Sequence, residues 1–114
     1  MANKNLIRIR KMSEYLRKIL LVCEGINFDQ FSSDFRIYDV CILNLIEMGE
    51  MARLITEEFK LGHMKIPWHK LNGMRNRFVH DYEDVNLLII WETICDDLPR
   101  LQQVLADIPE EARP

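Results

Sequence analysis

Apolar residues recur at helical intervals almost throughout the chain, and no stretch alternates with period 2 between turn signals. Leu6, Ile9, Met12, Leu16, Ile19 and Cys23 mark one face of an amphipathic helix over about residues 3–24. Tyr38, Cys41, Leu45, Met48, Ala52, Ile55 and Phe59 follow at alternating steps of 3 and 4. That is a heptad seam on one helix from about Ser33 to Lys60, with Ser32 or Ser33 as its N-cap. Leu87, Trp91, Ile94, Leu98, Leu101, Leu105 and Ile108 repeat the seam on a last helix, kinked or restarted at Pro99 because proline lacks the donor a helix interior needs. A shorter helix begins at Pro67, whose fixed φ suits a first turn, and runs to near His80. "GINFDQFSS", "LGHMKI" and "DYEDVN" read as the connections. The pattern predicts an all-α, up-and-down four-helix bundle with a short third helix, one domain over residues 1–114.

Two such long seams are more than one core helix in so small a bundle needs. Ile42, Leu43 and Ile46 widen the apolar face of the second helix, and Gly49 and Ala52 would admit another helix closely. A homodimer through the second and fourth helices is therefore expected; the alternative is a monomer with a wide buried stripe.

Composition narrows the class. With 48% hydrophobic and 29% charged residues the chain reads as a soluble globular protein. The apolar run from Leu87 to Trp91 is far too short for a membrane span, and "ILLVC", ending at Glu24, is too short for a signal-peptide core, so a cytoplasmic location is expected. Cys23, Cys41 and Cys95 are odd in number and widely spaced, which points to reduced, buried thiols rather than a disulfide framework or a zinc site. His63, His69 and His80 have no metal-ligand spacing, and neither a metal nor a cofactor is expected. The net charge of −3 is unevenly spread: Lys60, Lys65, Lys70, Arg75 and Arg77 lie between Phe59 and His80 with no acid among them, and residues 81–114 carry nine acidic against two basic residues. Such a basic run is either a solvated face or a phosphate-facing patch.

The basic segment ends in "GMRNRFVHDYEDVN", residues 73–86. On a helix Asn76 and His80, four apart, share a face, whereas Arg75 and His80, five apart, are separated by about 140°. Arg75 reaches His80 only if the helix frays or a second subunit supplies the partner. Metal-free RNA cleavage requires a base for the ribose 2′-hydroxyl proton and a cation for the charge that builds on the phosphoryl oxygens. Histidine titrates near neutral pH and suits the first role; arginine binds phosphate with a planar, permanently charged fork and suits the second. Taken without other information, a histidine at a helix end also fits a cap or a satisfied core residue, and an Arg-Asn pair also fits an ordinary surface.

The run "IPWHKLNGMRNRFVHDYEDVN", residues 66–86, followed by "LLIIWETICDDLPRLQQVLADI", resembles the HepT toxins of the HEPN superfamily. "NLIEMGEMA", residues 44–52, is similar to that family's Gly-Glu-x-Ala stretch, and the likeness extends over about Tyr38 to Ile108. The resemblance implies a helical dimer acting as a ribonuclease toxin, paired with a nucleotidyltransferase antitoxin. On it, Arg75, Asn76 and His80 match the ribonuclease positions, and Tyr82 matches the tyrosine that the antitoxin modifies with adenylate from ATP. Trp68, after Pro67, would be a packing residue. The expectation is a metal-independent endoribonuclease with His80 as general base or acid, Arg75 as stabiliser of the phosphoryl charge and Asn76 as positioner. Lys65, Lys70 and Arg77 would extend a positive cleft along the RNA backbone. The rival expectation is a non-catalytic helical partner that binds or regulates a nucleotidyltransferase.

Overall fold

The structure, a computed structural model, describes residues 3–109; of the acidic C-terminal segment, Glu110, Glu111 and Arg113 lie outside them. Among the described residues every regular element is helical: α1 Lys4–Val22, α2 Phe28–Ser33, α3 Phe35–Leu54, α4 Glu57–Leu61, α5 Trp68–His80, α6 Leu87–Glu92 and α7 Leu98–Ala106. The centre is α3, which packs along α1 on one side and along α5 on the other, while α7 leans on α1. The predicted seams line one hydrophobic core that includes Met12, Leu16, Ile19, Cys41, Leu45, Met48, Ile94, Leu98 and Leu101. The four predicted helical arms are present, and the all-α bundle stands.

Three details differ from the sequence expectation. "GINFDQFSS" is not all loop: Asn27 and Gln30 form a reciprocal capping box that starts α2 and seats Phe31 in the core. The serine hydroxyls belong to that short helix, both donating to the Asp29 carbonyl, so the N-cap of α3 is Asp34, whose carboxylate accepts from the Arg36 amide at 3.0 Å.

The expected helix from Ser33 to Lys60 also breaks, at Ile55 and Thr56. Both residues are extended, and Thr56 then caps α4 by accepting from the Phe59 amide. The break is supported from α1. Asn5 exchanges hydrogen bonds with the Thr56 hydroxyl and amide, and Arg8 donates to the Leu54 carbonyl at 2.6 Å, satisfying backbone groups that the end of α3 leaves open.

The last arm, expected to be kinked or restarted at Pro99, changes its winding just before that residue. A π-turn over Thr93–Asp97 joins α6 to α7: the Leu98 amide bonds the Thr93 carbonyl five residues back, and Pro99 follows in the first turn of α7. Cys23 and Cys41 are buried thiols with sulfurs 3.5 Å apart, as expected of reduced core cysteines, but Cys95 is exposed on the π-turn.

Candidate ribonuclease site

The site residues sit on α5 and on the turn that follows it. Leu71 and Phe78 bury one face of α5 against the core, with Met74 packed beside them. Asn76 and His80 point outward on the opposite face, both exposed. Arg75 lies between these faces, on the edge next to α3. It can lie there because α3 carries Gly49: a Cβ at that position would overlap the Arg75 Cβ and come within 3.0 Å of the Leu71 carbonyl. The small residue expected to admit a second subunit thus admits α5 of the same chain.

At that crossing the Arg75 guanidinium is held at two points. Its Nε donates to Glu50 Oε2 at 2.9 Å and its Nη1 donates to Asn76 Oδ1 at 2.8 Å. Glu50 is gripped in turn by Arg53, one turn further along α3. The hydrogen bond from Arg53 holds the Glu50 carboxyl below the usual carboxylate range, with the charges of Arg53 and Arg75 adding to it. Arg75 therefore leans across to Asn76, which shares the face of His80. The chain links Arg75 to the histidine side of the helix through Asn76, with no direct hydrogen bond between Arg75 and His80. The His80 ring makes no hydrogen bond among the described residues, so it is neither a capping nor a buried core histidine.

Tyr82 follows in a single 3₁₀ turn, Tyr82–Asp84. Tyr82 is 45% exposed, and its hydroxyl donates to Asp39 Oδ1 on α3. The acceptor lies 43 residues upstream of the tyrosine, not among its acidic neighbours Asp81, Glu83 and Asp84. That hydrogen bond, with some desolvation, pushes the phenol up to about 12. Glu50 stood in a recognised stretch without a role, and its spacing of three residues to Arg53 was the available clue. Nothing in the sequence marks Asp39.

The three further basic residues do not form one strip with Arg75. Lys70 and Arg77, two turns apart, occupy the edge of α5 away from α3, and Lys70 is paired with Asp97 of the π-turn. Lys65 lines a cavity of about 390 Å³ together with Lys70, Asp97 and Arg100. Trp68 packs against the core, its indole Nε1 donating to the His63 carbonyl at 3.0 Å and its ring lying under the Lys60 ammonium.

The family model for HepT-like ribonucleases matches residues 12–108, from the middle of α1 through α7 and including the whole motif. The chain belongs to the HepT-like ribonuclease family. Among curated relatives of this HepT-like chain, a Caldanaerobacter subterraneus subsp. tengcongensis protein named a "putative RNase" is 34% identical over 106 residues, covering 87% of this chain and 95% of that protein. A Thermococcus cleftensis protein named "probable ribonuclease HepT" is 30% identical over 94 residues, covering 82% and 79% respectively. No solved structure matches the chain. Among the described residues, no helix of this HepT-like protein is long and apolar enough to cross a membrane.

Proposed function

We propose that this chain is the toxin of a toxin–antitoxin pair and cleaves RNA without a metal, using Arg75, Asn76 and His80. The observation that carries the reading is the double anchoring of Arg75 by Glu50 and Asn76, beside an exposed His80 with an open ring. The two contacts, one from Nε and one from Nη1, hold the guanidinium between a residue of α3 and a residue of the histidine face. Here the remaining guanidinium N–H groups are pre-set for phosphoryl oxygens, so little side-chain entropy is lost when RNA binds. His80 takes the 2′-hydroxyl proton or returns one to the leaving 5′-oxygen, and Asn76 orients the phosphate between them. A homodimer brings two such sets together, and the exposed Val40 and Leu43 on α3 are apolar surface available for that contact. Lys65 and Arg77 contribute positive potential along the RNA backbone, and Lys70 does so less because Asp97 offsets its charge.

The partner in this reading is a nucleotidyltransferase antitoxin that transfers adenylate from ATP to Tyr82. The half-exposed ring on a surface turn, close in sequence to His80, is where such a modification would add a bulky anion next to the RNA site.

Purified wild-type protein should cleave RNA in the presence of EDTA. His80→Ala should lose roughly 10²- to 10⁴-fold of that rate while keeping its helical circular dichroism, and should no longer arrest growth on expression. Intact RNA with the wild-type protein and no growth arrest would instead favour a non-catalytic partner of the nucleotidyltransferase.

A further inference from the structure

Asp39, Leu43, Ile46 and Glu50 lie at steps of 4, 3 and 4, and so form one edge of α3. The two carboxylates stand at its ends, about 16 Å apart along the axis. Glu50 holds Arg75 before the catalytic face, and Asp39 holds Tyr82 after it. The first contact serves the site directly, and the second has no part in RNA cleavage as described above.

Val85 packs against the core at the end of the turn that carries Tyr82, but residues 82–84 have little else to hold them. The backbone of the turn is closed by the Asp84 amide on the Asp81 carbonyl at 3.0 Å and by the Val85 amide on the Tyr82 carbonyl at 3.4 Å. None of its three residues is buried, and the side chains flanking the tyrosine, Asp81, Glu83 and Asp84, are exposed carboxylates. The hydroxyl to Asp39 is the side-chain hydrogen bond that ties this turn to α3. We propose that Asp39 is the positioning residue of the modification switch: it fixes the Tyr82 hydroxyl for nucleotide transfer and expels the tyrosine once the transfer has occurred.

This rests on the reading of Tyr82 as the modified residue. In the transfer the phenolic oxygen bonds to the α-phosphorus of a nucleoside triphosphate, and the bond from that phosphorus to the bridging oxygen of pyrophosphate breaks. The phenolic proton is released on the side where the Asp39 carboxylate already accepts it. The product oxygen is an ester with no proton to donate, and its phosphodiester brings a negative charge to the carboxylate that held it. One contact changes from a charge-assisted hydrogen bond to a like-charge repulsion, and none of the neighbouring turn residues supplies a cation. The turn must leave α3.

The step can be tested without the partner enzyme. Sulfotyrosine placed at position 82 by genetic code expansion has an esterified phenolic oxygen and a single negative charge. Backbone order parameters of residues 82–84, measured by NMR, should be near 0.85 in the unmodified protein and fall below about 0.6 in the sulfated one, while α1 and α3 keep their values. Asp39→Asn removes the repelling charge but keeps an acceptor for the unmodified hydroxyl and gains an amide donor for the sulfate, so the sulfated Asp39→Asn protein should stay near 0.85. A turn that remains rigid when sulfated, one already mobile before sulfation, or equal loosening in Asp39→Asn would each overturn the proposal. RNA cleavage by the unmodified protein, and a nucleotide mass gained on co-expression with the transferase, test the underlying reading separately.

Discussion

Arg75 is held in place by its neighbours. Glu50 takes one edge of the guanidinium and Asn76 the other, which leaves a fork that a lysine cannot reproduce. Arg75→Lys should therefore cleave RNA no better than Arg75→Ala, and recovery of most of the wild-type rate would reduce the residue to a general positive charge. Glu50→Gln keeps an acceptor but loses the ion pair, so kcat should fall by about tenfold with little change in KM, read by steady-state cleavage of a short RNA. Tyr82 carries a pH signature. Its phenol is raised from 10.0 to about 12 in the folded protein, so the neutral form is favoured by folding. The stability this contributes is complete below pH 10 and is lost as pH rises from 10 through 12. Between those values the wild-type protein should lose more stability than Tyr82→Phe in denaturant titrations; parallel losses would mean that the Asp39 contact is absent in solution. Arg75, Asn76, His80 and Tyr82 were legible as candidates because they fall in one short motif. The sequence could not show Glu50 or Asp39 as their partners, because those contacts span 25 and 43 residues and exist only once α5 lies along α3.

That crossing is the element on which the site depends. The heptad seam predicted α3, and its buried positions Cys41, Leu45, Met48 and Ala52 follow the pattern. The seam did not show that the helix stops at Leu54, because the stop is made by groups outside it: the extended Ile55 and Thr56, and the side chains of Asn5 and Arg8 reaching across from α1. Nor did it show that Gly49 faces α5, since a small residue in a seam looks the same whichever helix approaches it. Gly49→Ala separates the two possibilities. In an unobstructed helix interior, alanine would stabilise by roughly 0.5–1 kcal/mol relative to glycine. Here the new methyl overlaps the Arg75 Cβ and meets the Leu71 carbonyl, so α5 must shift, and overpacking of this kind costs about 1–3 kcal/mol. Thermal unfolding should therefore show Gly49→Ala to be destabilised, with RNA cleavage reduced because the displaced α5 carries Arg75 with it. A stabilised variant with full activity would place the crossing elsewhere.

At the scale of the whole molecule, the arrangement of α3 leaves an apolar face that one chain does not cover. Its inner side is taken by α1 and α5, yet Leu43 is 58% exposed, Val40 37% and Leu54 39%, all on the outer side of the same helix. Leu43 lies on the edge between Asp39 and Glu50, so whatever covers it stands directly beside both contacts that hold the motif. In an isologous dimer each residue is used twice, and burying a leucine is worth about 1.5–3 kcal/mol per copy. Leu43→Lys should then weaken association by about 3–6 kcal/mol, a factor of roughly 10² to 10⁴ in Kd. The isolated helix would not suffer, because a lysine there has Asp39 and Glu47 four residues away on either side. Sedimentation equilibrium should find a dimer for the wild-type chain and a folded monomer for Leu43→Lys at the same micromolar concentration. RNA cleavage should disappear with the dimer, since one chain presents only one Arg75 and one His80 and a two-sided cleft needs both copies. A Leu43→Lys monomer that still cleaves RNA at the wild-type rate would show that a single α5 edge is sufficient. An unchanged dimer would show that the subunits meet through another face.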